Sequence, residues 1–189
     1  GAFLALVGGS LGKIAMDVKL MMQTEVAEVF VPYAPGRGSS STMPQKRNPV
    51  LCEAILEAAR AARDGPSQML EVMLQANERA IGAGYIERRA VANGLMLAAG
   101  ASELAHELFK GLEVNSAKMH DNLGITNGLM MAESVMMLVA RKFGRHSGHQ
   151  KVHRACIQVD SSGQTLREVL LRQGDIDSRD LDIALNPAS

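Results

Sequence analysis

The segment YIERRAVANGLMLAAGASELAHELFKG, residues 85–111, decides the fold class of this 189-residue chain. Its apolar residues return at the three- and four-residue steps that place them on one face of an α-helix. The members of this stripe are Ala90, Leu97, Ala101, Leu104 and Leu108. So long a stripe is typical of a helix in a bundle, where neighbouring helices cover the apolar face. Gly111 is a plausible stop for this helix.

Two upstream segments carry the same periodicity, so the pattern predicts helices over about residues 4–30 and 49–75. Asp64-Gly65-Pro66 is expected to interrupt the second of these, because proline breaks a helix interior. Shorter helical patterns follow, over about 116–123, 128–143, 148–160, 165–172 and 178–184. We therefore predict an all-α protein: part of a long-helix bundle in residues 1–114, then a small C-terminal helical domain in residues 115–189.

Composition excludes several classes of protein. Aromatic residues make up only 3% of the chain and Trp is absent, which argues against an all-β fold. The 20 Lys and Arg balance the 20 Asp and Glu, so no nucleic-acid partner is expected. No apolar run approaches the length of a membrane span, and no secretory signal is visible. The two cysteines lie in apolar helical patterns, which indicates reduced thiols and a cytoplasmic location.

The loop GRGSSSTMPQKRNP, residues 36–49, is where the sequence offers chemistry. It combines hydroxyl groups with two cations, Lys46 and Arg47, and ends where Pro49 opens a helix whose N-terminus favours anions. These features suit an anionic substrate, most simply a carboxylate. The phosphate-loop motif does not fit, because Lys46 stands between Gln45 and Arg47. From composition alone, a plain solvated loop between helices is the competing interpretation.

Histidine and cysteine patterns favour structural roles. His149 and His153 lie one helical turn apart near His146, but no Glu or Cys completes a familiar zinc set. We therefore expect no metal site and no cofactor. Cys52 lies near a helix N-terminus, which can lower a thiol pKa, but a packed small residue is the simpler interpretation.

The order of residues 40–48, SSTMPQKRN, resembles the signature S-S-x-M-P-x-K-x-N of the fumarase/aspartase superfamily. Further segments carry the likeness: EVAEVFVPYAPGRG (25–38), LCEAILEAARAAR (51–63), GLEVNSAKMHDNL (111–123) and GLMMAESVMM (128–137). They are most similar to bacterial 3-carboxy-cis,cis-muconate cycloisomerases, then to adenylosuccinate lyases. The resemblance spans essentially the whole chain and implies the same long-helix bundle.

The resemblance also implies the chemistry. In the superfamily, a base removes the proton next to a carboxylate, and the first signature serine, here Ser40, acts as the acid/base catalyst. Lys46 and Asn48 match positions that contact substrate. Further residues of the loop would line the site, namely Ser41, Thr42 and Met43, and three more are candidates, namely Arg47, Glu78 and Arg79. The implied activity converts 3-carboxy-cis,cis-muconate to a carboxymuconolactone, a step of aromatic-compound degradation by the β-ketoadipate pathway.

Departures from the family pattern keep two alternatives open. Ser39 replaces a usual glycine, Asn77 replaces a usual histidine, and Gly84-Tyr85 stands where cycloisomerases have Trp-His. Glu87-Arg88 is more similar to adenylosuccinate lyases. The alternatives are a lyase of the same superfamily that breaks a C–N or C–O bond and releases fumarate, or a non-catalytic structural homologue or inactive fragment.

The expected partners are a small unsaturated polycarboxylate and further copies of the chain. Family members are homotetramers whose active sites combine three signature regions from different subunits. This chain carries only the third region, so we expect the chain alone to be inactive, without a complete site. Its three long striped helices also present more apolar surface than they can cover by themselves.

Overall fold

The computed structural model describes residues 1–33, 43 and 46–188, and the chain divides into two compact units, Gly1–Ser116 and Ala117–Ser189. Helices dominate the described residues. The only strands within those ranges are β1 (Val29–Phe30) and β2 (Glu113–Val114), of two residues each. The predicted all-α fold is thereby confirmed. Across these same ranges, no helix combines the length and apolar character needed to cross a membrane.

Within its described residues, the first unit contains four helices, whose bounds are α1 (Ala2–Met21), α2 (Val50–Ala62), α3 (Asp64–Val72) and α4 (Ile81–Lys110). The predicted break at Asp64-Gly65-Pro66 is confirmed, since α2 ends just before it and α3 begins with it. Pro66 is tolerated there because the first turn of a helix has no intrahelical acceptors for its N–H groups. With 30 residues, α4 is about 45 Å long.

The prediction of one helix over residues 4–30 is wrong in its last third. The chain leaves α1 at Met21, turns where the amides of Val26 and Ala27 donate to the carbonyl of Gln23, and continues into β1. Ala27 adopts a left-handed backbone, with φ of 50°, which ends the helical path. The cause is tertiary, because β1 pairs with β2, more than 80 residues away. The spacing of nearby apolar residues cannot predict a strand whose partner lies so far along the chain.

Small side chains form the contacts between the long helices. The buried face of α1 consists of Gly8, Gly12, Ala15 and Val18, and that of α4 is mostly alanine and glycine. A Cβ added at Gly12 would lie 2.8 Å from the Cβ of Ala59 in α2. The helix backbones therefore approach each other closely, and several large apolar residues of α1 and α4, such as Phe3, Leu6 and Leu95, are left exposed.

The second unit packs shorter helices around a core of larger side chains. Their bounds are α5 (Ser116–Leu123), a 3₁₀ turn (Leu129–Met131), α6 (Ala132–Phe143), α7 (Arg145–Ser162), α8 (Leu166–Gln173) and α9 (Ser178–Ala184). These bounds lie within a few residues of the predicted ones. The buried cluster includes Val135, Val139, Val152, Val159, Leu166, Val169, Leu170 and Leu181.

Candidate active site

The short ladder β1–β2 joins the exits of two long helices. Val29 faces Val114 and Phe30 faces Glu113 in an antiparallel register, and the Asn115 amide donates to the Glu28 carbonyl at 2.8 Å. Gly111 lies so close to Pro32 that an added Cβ would come within 2.8 Å of the proline ring. The β1–β2 ladder and the Gly111–Pro32 contact thus form a platform at the end of α4, and the chain beyond β1 starts from this platform.

Arg47 fastens the chain to this platform as it returns toward α2. Its guanidinium forms a two-pronged ion pair with Glu113, in which Nη1 donates to Oε2 at 2.7 Å and Nη2 donates to Oε1 at 2.8 Å. Nη2 also donates to the Val31 carbonyl. The cation lies 5.0 Å from the ring centre of Phe30 and 6.0 Å from that of Tyr33. Such forked and stacked contacts suit the planar guanidinium.

Electrostatics agree with this geometry. The hydrogen bonds from Arg47 lower the pKa of the Glu113 carboxyl below its ordinary value, and the same contacts raise the pKa of Arg47. Both groups are therefore charged near neutral pH. The side chain of Glu113 is 53% exposed and that of Arg47 only 25%, so solvent screens one end of the pair more than the other.

The predicted substrate-binding residues flank Arg47 or precede it. Lys46 is exposed and its amide donates to the Met43 carbonyl at 3.1 Å, while Asn48 is half-buried. Met43 is 43% exposed. Ser40, Ser41 and Thr42, predicted as the catalyst and its neighbours, lie outside the described residues. Among the described residues of this segment, Lys46 places a cation and Asn48 an amide beside the Arg47 anchor.

The start of α2 follows directly. Pro49 precedes the first helical residue, Val50, and Glu53 of the first turn forms an ion pair with Lys19 of α1 at 2.6 Å. Cys52 is fully buried, and burial raises its pKa to about 11. The packed interpretation of Cys52 is therefore confirmed: at neutral pH it is a protonated thiol in the core, unsuited to nucleophilic attack.

Glu78 and Arg79 lie at the opposite end of α4 from Arg47. Both are exposed in the turn before Ile81, whereas Glu113 follows the last residue of the helix by three positions. The length of α4 separates the two places by about 45 Å along the helix. Within one chain, Glu78 and Arg79 therefore cannot share a small-molecule site with Lys46 and Asn48.

The turn before α4 has its own cleft, of about 570 Å³. Arg79 lines it with a left-handed backbone of φ 54°, and Arg88 lies over the Tyr85 ring at 5.8 Å from its centre. Gln75 accepts a hydrogen bond from the Ala80 amide at 3.2 Å, which satisfies one free N–H at the start of α4. The cleft presents two cations, Arg79 and Arg88, to solvent.

The histidines do not gather into a metal site. His149 and His153 stack with ring centres 6.0 Å apart, and a ring nitrogen of His146 lies 3.0 Å from the Gln150 amide nitrogen. Over residues 1–33, 43 and 46–188, no group of three or more His, Cys, Asp or Glu side chains is arranged to hold a metal ion.

Known proteins share this scaffold. Residues 2–63 match the sequence model of a family described as Lyase, and residues 128–189 match one described as Adenylosuccinate lyase C-terminus. The 3-carboxy-cis,cis-muconate cycloisomerase of Acinetobacter baylyi is 42% identical over 92% of this chain and 38% of its own length. The adenylosuccinate lyase of Aquifex aeolicus is 29% identical over 97% of this chain and 43% of its own length.

A solved structure agrees with these matches. The 3-carboxy-cis,cis-muconate lactonizing enzyme from Pseudomonas putida superposes with a TM-score of 0.83 and 38% identity, covering 99% of this chain and 43% of that one. The chain thus has the helical scaffold of a lyase. It belongs to the fumarase/aspartase superfamily, and it spans about two fifths of the length of these relatives.

Sequence reasoning missed the partners of Arg47. Glu113 lies 66 residues from it, in the segment 111–123 that carries the family likeness but predicts no role for it, and Phe30 was assigned to a helix. Only the pairing of β1 with β2 brings these side chains together, and no spacing in the sequence signals it.

Proposed function

We propose that this chain supplies the signature-loop part of an enzyme that converts 3-carboxy-cis,cis-muconate to a carboxymuconolactone. The observation that carries the proposal is the 42% identity to a cycloisomerase of that substrate over 92% of the chain. The motif residues agree with it, since Lys46 presents an exposed cation and Asn48 an amide within two residues of each other. A cation and an amide are the groups expected to hold a carboxylate.

In this proposal, the substrate's own carboxylate oxygen forms the new C–O bond of the lactone. The electron pair of the attacked double bond moves to the carbon beside a second carboxylate, and that carboxylate delocalises the charge. Ser40 delivers its hydroxyl proton to this carbon, and the alkoxide that remains takes a proton from water before the next turnover. In the reverse direction, the alkoxide removes the proton again. Lys46 stabilises the charge that builds on the carboxylate, and Asn48 donates a hydrogen bond to it. No cofactor takes part in these steps.

We propose further that the site is assembled from several copies of the chain. Two features support this: the length of α4, about 45 Å, which separates Arg79 from Glu113, the partner of Arg47, and the exposed apolar side chains of the first unit. Phe3 is 73% exposed, Leu74 79% and Ile81 77%. A second copy would cover such a face. Sedimentation velocity at micromolar concentration should detect an oligomer, and a monomer would contradict this proposal.

The activity is tested by following 3-carboxy-cis,cis-muconate by ultraviolet absorbance with the full-length protein. We expect the absorbance of the conjugated diene to fall as the lactone forms. Ser40→Ala should abolish turnover while leaving the oligomeric mass unchanged. An unchanged diene signal would reject the proposed substrate, and a fully active Ser40→Ala enzyme would reject the role of Ser40.

A second candidate is a lyase reaction of the adenylosuccinate type, which releases fumarate. The cleft before α4 favours it, because Glu87 and Arg88, which line this cleft, are the pair that is more similar to adenylosuccinate lyases than to cycloisomerases. Adenylosuccinate in the same absorbance assay separates the two reactions. Release of fumarate without lactone formation would establish the lyase instead.

A further inference from the structure

We propose that Arg47 is a positioning residue: its fork to Glu113 fixes the direction of Lys46 and Asn48 and does not bind the substrate. This inference rests on the proposed function, in which those two neighbours contact the carboxylate. Arg47, the middle residue of the Lys46-Arg47-Asn48 triplet, would then hold its two neighbours in place and would not contact the substrate itself.

The contacts of Arg47 leave little of its guanidinium for a ligand. Both terminal nitrogens donate to Glu113, at 2.7 Å and 2.8 Å, and one of them also donates to the Val31 carbonyl. Phe30 and Tyr33 cover its faces at 5.0 Å and 6.0 Å. Its Nε is buried and has no hydrogen-bond partner within the described ranges, a desolvation cost that these contacts must offset.

Backbone geometry transmits this anchoring to the neighbours. Arg47 lies in an isolated β-bridge, and in extended backbone successive side chains point to opposite sides. With the Arg47 side chain held against the ladder, those of Lys46 and Asn48 are directed away from its contacts. Lys46 is accordingly exposed, whereas Arg47 and Asn48 are both half-buried. The Arg47 side chain cannot rotate freely, because its partners come from three places: Phe30 from β1, Glu113 from β2, and Val31 just after β1.

The first test needs no substrate. Trypsin must draw an arginine side chain into its own pocket, so an arginine held by a carboxylate is protected. Glu113→Gln removes the charge of the partner while leaving the sequence at Arg47 intact. We expect cleavage after Arg47 to be at least about fivefold faster in Glu113→Gln than in the parent protein. Equal cleavage rates would overturn the anchor.

The matched control is Asp182→Asn in the second unit. Arg167 donates to Asp182 through Nε at 2.6 Å and Nη2 at 3.1 Å, so this variant removes another forked partner and the same charge. It should leave cleavage after Arg47 at the parental rate. Acceleration at Arg47 in both variants would mean a general loosening and would overturn the specific role of Glu113.

The second test uses turnover of 3-carboxy-cis,cis-muconate by the full-length protein. A displaced binding group can cost up to about a hundredfold in rate, so Arg47→Met is expected to lower kcat/KM by about 10- to 100-fold. Arg47→Lys keeps the charge but loses the fork, and it should not restore the rate. Adding Glu113→Gln to Arg47→Met should have little further effect, because both act on one contact.

The outcomes separate this inference from the proposed function. Full rescue by Arg47→Lys would show that charge suffices and would overturn the positioning role. Unchanged kcat/KM in Glu113→Gln, despite faster cleavage after Arg47, would overturn it as well. If the parent enzyme leaves the muconate unchanged, the proposed function fails, and the trypsin comparison still decides whether Glu113 anchors Arg47.

Discussion

The two units of the chain bury different mixtures of side chain, although each holds large ones, such as Ile55 in the first unit and Leu170 in the second. The long helices of Gly1–Ser116 meet through glycine and alanine, and they leave large residues such as Leu6 and Ile81 exposed. The short helices of Ala117–Ser189 bury valine and leucine in one cluster. Hydrophobic stabilisation scales with the apolar area removed from water. The second unit therefore covers its own core, while the first unit leaves much of its apolar surface exposed.

The largest effect that this comparison predicts is in the core of the second unit. Leu170 is 1% exposed in the buried cluster, so Leu170→Ala should lower the free energy of unfolding by about 2–5 kcal/mol. The matched control is Leu70→Ala in the first unit, where the side chain is 66% exposed. Leu70→Ala should change the free energy of unfolding of the monomeric chain by no more than about 0.5 kcal/mol. Urea denaturation compares them, and equal losses would erase the contrast.

A smaller effect is expected where the long helices touch. Gly12→Ala places a methyl group 2.8 Å from the Cβ of Ala59, so overpacking should outweigh the gain in helix propensity by about 1–2 kcal/mol. Gly9→Ala, with no atom within 4 Å, should be neutral or stabilise by up to about 1 kcal/mol. Thermal unfolding followed by circular dichroism ranks the two variants. A Gly12→Ala protein as stable as Gly9→Ala would refute close packing of α1 on α2.

The capping box of α8 should contribute about 1 kcal/mol. The Thr165 hydroxyl accepts from the Glu168 amide at 3.2 Å, and the Glu168 carboxylate accepts from the Thr165 amide at 2.8 Å. Thr165→Ala should therefore destabilise the protein by about 0.5–2 kcal/mol. Thr165→Ser keeps the acceptor oxygen and should stay close to the parent in chemical denaturation. A loss as large in the serine variant would point to packing of the methyl group instead.

The smallest effect concerns pH and the Arg47–Glu113 pair. Because the folded-state pKa of Glu113 is lowered, the pair stabilises the fold above the carboxyl's unfolded pKa, about 4.3, and this contribution is lost as pH falls through the folded value. Glu113 is half exposed, so the gain should not exceed about 1 kcal/mol. The stability gap between the parent and Glu113→Gln should close between pH 7 and pH 3. A gap that widens on acidification would reverse the sign of this linkage.

Local signals determined most of the helices. Apolar periodicity located α4 and the helices of the second unit, and Asp64-Gly65-Pro66 marked the end of α2, because helix faces and helix breakers act within a few residues. The same reasoning failed at β1. There a strand replaced the predicted end of a helix, since β2, the strand that it pairs with, lies far along the chain.

The candidate site divides in the same way. The order of residues 40–48 by itself pointed to the superfamily and to Lys46 and Asn48, because a motif records chemistry in consecutive residues. The tertiary structure alone decided that Arg47 is tied to Glu113, because their pairing depends on where two helices end. It also decided that Arg79 lies a full helix length away from Glu113, because the 30-residue helix α4 runs between them and holds its two ends about 45 Å apart.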